Sequence, residues 1–145
     1  AVATAARLGM AMTFLPVATR EDNATASAKI TNPPIQGMIV GGDSLVWGSI
    51  DLYIAQAIKE KILFSAFELS QVEKGALVGF GPDYERSGEQ AAALTHQILR
   101  GRHAGDLSVE APDALLLVVN MKTATAIGIT FAEEFLAKVD RIIEP

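Results

Sequence analysis

Apolar and polar positions along this chain change period several times, and each change marks an element. Val46, Ile50, Tyr53, Ile54, Ala57 and Ile58 recur at steps of three and four, while Asp51, Gln56, Lys59 and Glu60 fall elsewhere. That spacing lays one apolar stripe along a helix. Tyr84, Ser87, Ala91, Leu94 and Ile98 repeat the pattern and predict a second long helix over 83–100, stopped by Gly101. Around these helices run short apolar segments at 36–40, 62–67, 76–80 and 115–119. Runs of that length without alternation suit strands buried on both faces. Residues 10–17 read as a further strand, closed by a proline, and the Ala-rich residues 1–9 as a helix ending at Gly9. A polar stretch over 19–29, with Glu21 and Asp22 early in it, predicts a helix that Asn32-Pro33-Pro34 breaks. Two short helical patterns, 122–127 and 131–143, finish the chain.

Strands separated by helices of this length imply right-handed crossovers and an α/β fold: a Rossmann-like parallel sheet with helices on both faces. In such sheets ligands sit beyond the carboxyl ends of the strands. The loops to watch are therefore 17–21, 41–44, 67–70 and 81–84.

Composition narrows the function. The chain has 145 residues, one domain's worth, and half of them are hydrophobic. Its net charge of −5 gives nucleic-acid binding no electrostatic support. With no cysteine there is no disulfide scaffold, thiolate metal site or cysteine nucleophile. No apolar run reaches the ~18 residues of a membrane span. The chain opens Ala-Val-Ala without a basic segment leading into an apolar one, so any export signal is expected to lie outside it. His96 sits within a helix and His103 in a loop, without an acidic partner at metal-ligand spacing, and both read as ordinary residues. No Gly-x-Ser-x-Gly turn anchors an acyl-transfer triad. The expectation is binding without a cofactor, a metal or catalysis.

Three loops carry candidate chemistry, each with a plainer reading beside it. Gly41-Gly42-Asp43-Ser44 joins a strand to a helix, so Asp43 and Ser44 either face a ligand or cap the helix. Phe67-Glu68 ends a strand, and a carboxylate there either pairs with a ligand ammonium or is merely solvated. Gly81-Pro82-Asp83-Tyr84 opens the second long helix, where Asp83 is a natural cap and Tyr84 offers an aromatic body with a polar tip. Trp47 reads as a packing residue, and Asn23-Ala24-Thr25 fits a glycosylation acceptor pattern.

The segment from Phe64-Ser65-Ala66-Phe67-Glu68 through Lys74-Gly75-Ala76-Leu77-Val78-Gly79-Phe80-Gly81-Pro82-Asp83-Tyr84 resembles the ABC-transporter substrate-binding proteins of the type 1 periplasmic fold, in the group with tryptophan- and tyrosine-linked members. Ile98-Leu99-Arg100-Gly101, Asp106-Leu107-Ser108-Val109-Glu110 and Val119-Asn120-Met121-Lys122-Thr123-Ala124 keep the family's order, as do Leu8-Gly9 and Val40-Gly41-Gly42-Asp43-Ser44 upstream. The resemblance implies two α/β lobes closing on a small solute. It assigns 1–78 to the second lobe, 79–105 to a helix that leans on the first, and 106–145 to the returning segment. By position it implies ligand-binding roles for Asp43, Ser44, Phe67, Glu68, Asp83 and Tyr84. Phe67 and Gly42 depart from the family's usual small polar and Pro or Thr residues.

The implied function is the solute-binding component, or a fragment of one, of an ABC importer. Its solute is a small organic molecule such as an amino acid, its partner an ABC permease, and its location periplasmic or extracellular and membrane-anchored. With the first lobe missing, the helix over 83–100 is expected to fold back onto the sheet or to pair with a second copy, as a homodimer or domain swap. A flavodoxin-like phospho-receiver module is the alternative, although Ala18-Thr19-Arg20 follows the first strand in place of an acidic pair and no lysine follows the later ones. An enzyme on the same sheet ranks third.

Overall fold

The computed structural model describes residues 2–144. Helices α1 (Val2–Arg7) and α2 (Asp22–Ala28) precede strand β1 (Gly37–Ile39). Helices α3 (Ser44–Trp47) and α4 (Ile50–Lys59) lead to β2 (Leu63–Ala66), and α5 (Leu69–Lys74) leads to β3 (Val78–Pro82). Then come α6 (Tyr84–Leu99), a short 3-10 turn, β4 (Leu115–Asn120), α7 (Met121–Ile127), α8 (Glu133–Leu136) and β5 (Arg141–Ile143). The five strands lie in chain order, β1-β2-β3-β4-β5.

Direction changes once across the sheet. β1, β2 and β3 are parallel, with Met38 beside Phe64 and Ala66 beside Gly79. β4 runs antiparallel to β3, pairing Gly79 with Val118 and Pro82 with Leu115. β5 is parallel to β4. The α/β class is as expected, but the sheet is mixed. α6 and the chain after it carry β4 back toward the end of β3 from which α6 left, so β4 re-enters the sheet reversed.

The core lies mainly on one face. Side chains alternate along a strand, so Met38, Phe64, Ala66, Leu116 and Val118 share a side, with Gly79 and Gly81 between them. On that side they meet Ile50, Tyr53, Ile54 and Ala57 of α4 and Val72 of α5. Ala124 and Ile127 of α7 close over Leu77. Gly79 has no side chain because Val72 occupies the place of its Cβ. Gly75, at φ +127, ends α5 in a conformation that other residues rarely adopt, against Ile54. Across the sheet the helical covering is incomplete: Ile39 is 73% exposed and Phe80 57%, with Leu63 and Leu115 also open.

Four segments differ from expectation. Residues 10–17 form no strand; Met10, Met12 and Phe14 are exposed, and only Leu15 reaches the core. An apolar run becomes a strand only beside a strand partner, and among the described residues this one has none. The expected helix over 131–143 stops at Leu136, because Asp140 pairs with Leu117 through both its amide and its carboxylate and draws the following residues into β5. α5 is a helix that the spacing does not announce. Of the two arrangements expected for α6, folding back onto the sheet is not the one found: none of its residues is buried, and it rests along residues 110–113 through Gln90 and Arg86.

This one-sided core makes a direct prediction. Phe64→Ala lowers unfolding stability by about 3–5 kcal/mol, whereas Ile39→Ala on the open face changes it by less than about 0.5 kcal/mol. Urea unfolding of both variants checks this, and similar losses for the two would contradict it.

Candidate functional site

Because β1, β2 and β3 are parallel neighbours, their carboxyl ends share one edge of the sheet. Adjacent strands lie ~4.8 Å apart, so the three strand-to-helix turns are side by side. All six candidate residues sit in these turns: Asp43 and Ser44 after β1, Phe67 and Glu68 after β2, Asp83 and Tyr84 after β3. The chain before β4 arrives at the same edge, where the Asp83 amide donates to the Ala114 carbonyl at 3.1 Å.

The three carboxylates differ in what they already hold. Asp43 accepts from the amides of Leu45 at 2.8 Å and Val46 at 3.3 Å, capping α3. Asp83 accepts from Glu85 at 3.0 Å and Arg86 at 3.2 Å, capping α6. Both satisfy amides that a helix start leaves unpaired, so the capping role is present at each. Glu68 also precedes a helix, but its side chain does not cap α5. Its carboxylate instead accepts the Tyr84 hydroxyl at 2.7 Å. That bond holds the Tyr84 phenol above its usual range, with partial burial and the Glu68 charge acting the same way.

Close backbone approach sets this pair. A Cβ on Gly81 would collide with the Phe67 carbonyl, so glycine there lets the turn carrying Phe67 and Glu68 lie against β3. Tyr84 follows three residues later on the neighbouring strand's exit, within reach of Glu68. Phe67 and Tyr84 are both about half exposed, at 44% and 53%, and offer apolar surface to solvent. Ser44 is exposed at the start of α3, in the turn after β1.

Other residues hold the edge in place without having been singled out for it. Asn23 is buried; it accepts the Tyr53 hydroxyl at 2.8 Å and donates to the carbonyls of Arg20 and Leu45, tying α2 and α4 to α3. Burial in this network removes the glycosylation reading of Asn23. Its signal was the pattern itself: a polar residue at a position that packs. Trp47 donates its indole N–H to the Gly41 carbonyl at 3.1 Å and braces the turn after β1. Arg86 bridges Glu89 and Asp113 at the start of α6. His103 accepts the Gly105 amide through Nδ1, a local turn contact.

The edge is an open platform. One hollow of about 120 Å³ lies between Leu15 and α2, and one of about 170 Å³ between α6 and residues 110–112; none of the six residues lines either. Among the described residues no three His, Cys, Asp or Glu side chains are grouped to hold a metal ion, and no helix is long and apolar enough to cross a membrane. Of the three candidate carboxylates, Glu68 is the one not committed to backbone amides, and aromatic surface lies next to it.

The chain is similar to known proteins in sequence and in fold. A family profile described as ABC transporter substrate binding protein matches residues 1–143. A tyrosine-binding protein of Clostridioides difficile is 32% identical over 93 residues, 64% of this chain and 27% of that protein. A crystal structure of a conserved domain protein from Vibrio cholerae superposes with a TM-score of 0.84 at 28% identity, covering 97% of this chain and 47% of its own. An ABC domain from Streptococcus pneumoniae in complex with L-Trp gives the same TM-score at 21% identity, covering 97% of this chain and 49% of its own, and supports the fold alone. The chain thus spans about half the length of these structural relatives.

Glu68→Gln removes the charge facing the phenol and lowers the Tyr84 ionisation toward the ordinary tyrosine value. The chain has two tyrosines, so tyrosinate absorbance against pH resolves the change as one of two titrations. An unaltered curve would contradict the Glu68–Tyr84 bond.

Proposed function

Because this chain belongs to the ABC transporter substrate-binding protein family, we propose that it forms one jaw of a clamp that holds a small zwitterionic or cationic organic solute. The solute class is an amino acid with an aromatic or apolar side chain. One observation carries the reading: Glu68 stands at the tip of β2 with its carboxylate free of backbone amides, beside Tyr84 and the exposed ring of Phe67. A carboxylate suits an ammonium, and aromatic surface suits an apolar side chain. The tyrosine-binding relative supports the same class.

In this reading Asp43 and Asp83 act indirectly. They fix the starts of α3 and α6, which places Ser44 and Tyr84 at the ligand. Residues 1–78 belong to the second lobe, α6 leans on the other lobe, and residues 106–145 return. The open sheet face and the unburied α6 are surfaces for that lobe or for a second copy of this chain. The complete protein delivers its solute to an ABC permease from the periplasmic or extracellular side, anchored to the membrane, and carries out no chemistry. The phospho-receiver alternative is disfavoured because the Asp43 carboxylate is committed to two amides of α3.

Thermal denaturation in the presence of L-tyrosine, L-tryptophan, L-phenylalanine and L-leucine tests the reading. A ligand at ten times its Kd stabilises by about 1.4 kcal/mol and raises Tm by about 3–6 °C. With half the clamp's contacts absent, the response is expected at millimolar ligand. Glu68→Gln should cut the stabilisation at the same ligand concentration to about 0.4 kcal/mol or less. A flat response to every amino acid, or an undiminished response in Glu68→Gln, would overturn the assignment.

A further inference from the structure

Glu68 and Tyr84 come from different turns, yet each is the other's hydrogen-bond partner on the open edge. The phenol holds Oε1 of the carboxylate, an oxygen that a ligand's donors arriving at this edge would need. The bond is short for an O–H donor, at 2.7 Å, and it joins two residues that solvent reaches. A hydroxyl in that position presents to Glu68 what an ammonium presents, a strong N–H or O–H donor, but without the full positive charge.

We propose that the Tyr84 hydroxyl is a placeholder on Glu68, which a ligand's ammonium displaces, so that binding releases Tyr84 at the first residue of α6. This rests on the solute reading above and deepens it. An ammonium brings three donors and a unit charge, and it outcompetes a neutral hydroxyl for a carboxylate. The released ring remains hinged at α6 by the Asp83 cap and is free to lie against the ligand's side chain. Tyr84 is itself half exposed, so its ring can move while α6 stays tied to residues 111–113 through Arg86 and Gln90. Occupancy at Glu68 is thereby linked to the start of α6.

Two consequences separate a placeholder from an ordinary ligand contact. Removing the hydroxyl removes the competitor, so Tyr84→Phe should bind L-phenylalanine about 3- to 10-fold more tightly than the wild type. Losing the carboxylate removes both partners' target, so Glu68→Gln should bind at least ~10-fold more weakly. The release itself is visible in the ¹³Cζ resonance of labelled Tyr84, which should move on adding L-phenylalanine toward its position in free Glu68→Gln. N-acetyl-L-phenylalanine, which lacks the ammonium, should leave it in place. Weaker binding by Tyr84→Phe, or binding of L-phenylalanine with Tyr84 unmoved, would overturn the placeholder role while leaving the solute reading intact. Failure of both wild type and Tyr84→Phe to bind any of the amino acids would remove both.

Discussion

Parallel strands cannot be joined by tight turns, so the chain must leave β1 and β2 through helices before the next strand begins. That constraint makes the turns after β1 and β2 helix starts, and because β3 runs parallel to both, the turn after it, where α6 begins, lies on the same edge. The polar residues found there answer first to the helices. Asp43 and Asp83 supply the acceptors that α3 and α6 need, and only Glu68 keeps its carboxylate for something else. The candidate site is what remains after the helix starts have taken their acceptors.

Packing holds that edge in register. Gly79 and Gly81 give up side chains so that Val72 and the Phe67 carbonyl can lie against β3, which sets how far the turn bearing Glu68 stands from Tyr84. Asn23 and Tyr53, buried together, tie α2 and α4 to the carbonyl of Leu45 and so brace the turn after β1. The core behind these contacts is one-sided. The helices α4, α5 and α7 contribute buried residues, while Ile39 and Phe80 are open and α6 buries none of its own. The apolar sheet face and the long helix stay open in a chain that spans about half the length of its structural relatives.

The parts legible in the sequence are those where local pattern and tertiary environment agree. The stripe from Val46 to Ile58 and the one from Tyr84 to Ile98 read directly as helices, and the apolar runs at β2, β3 and β4 as strands. Direction was not legible: an apolar run such as Leu115–Val119 carries no mark of which way it enters a sheet. Nor was the coil at 10–17, since strand formation depends on a partner. α5 has six residues, too few to show a period, and β5 has three. At the site, the caps were readable from an aspartate just ahead of an apolar stripe. The Glu68–Tyr84 bond was not, because it depends on the pairing of Ala66 with Gly79 between strands. Spacing along the chain does not contain that.

The central claim is that the three adjoining turns act as one binding surface. Amide chemical-shift mapping during titration with L-tyrosine tests it most directly. The account predicts that Ser44, Phe67, Glu68 and Tyr84 shift together along one saturation curve. Shifts confined to the hollow beside α2, or separate curves for the three turns, would contradict it.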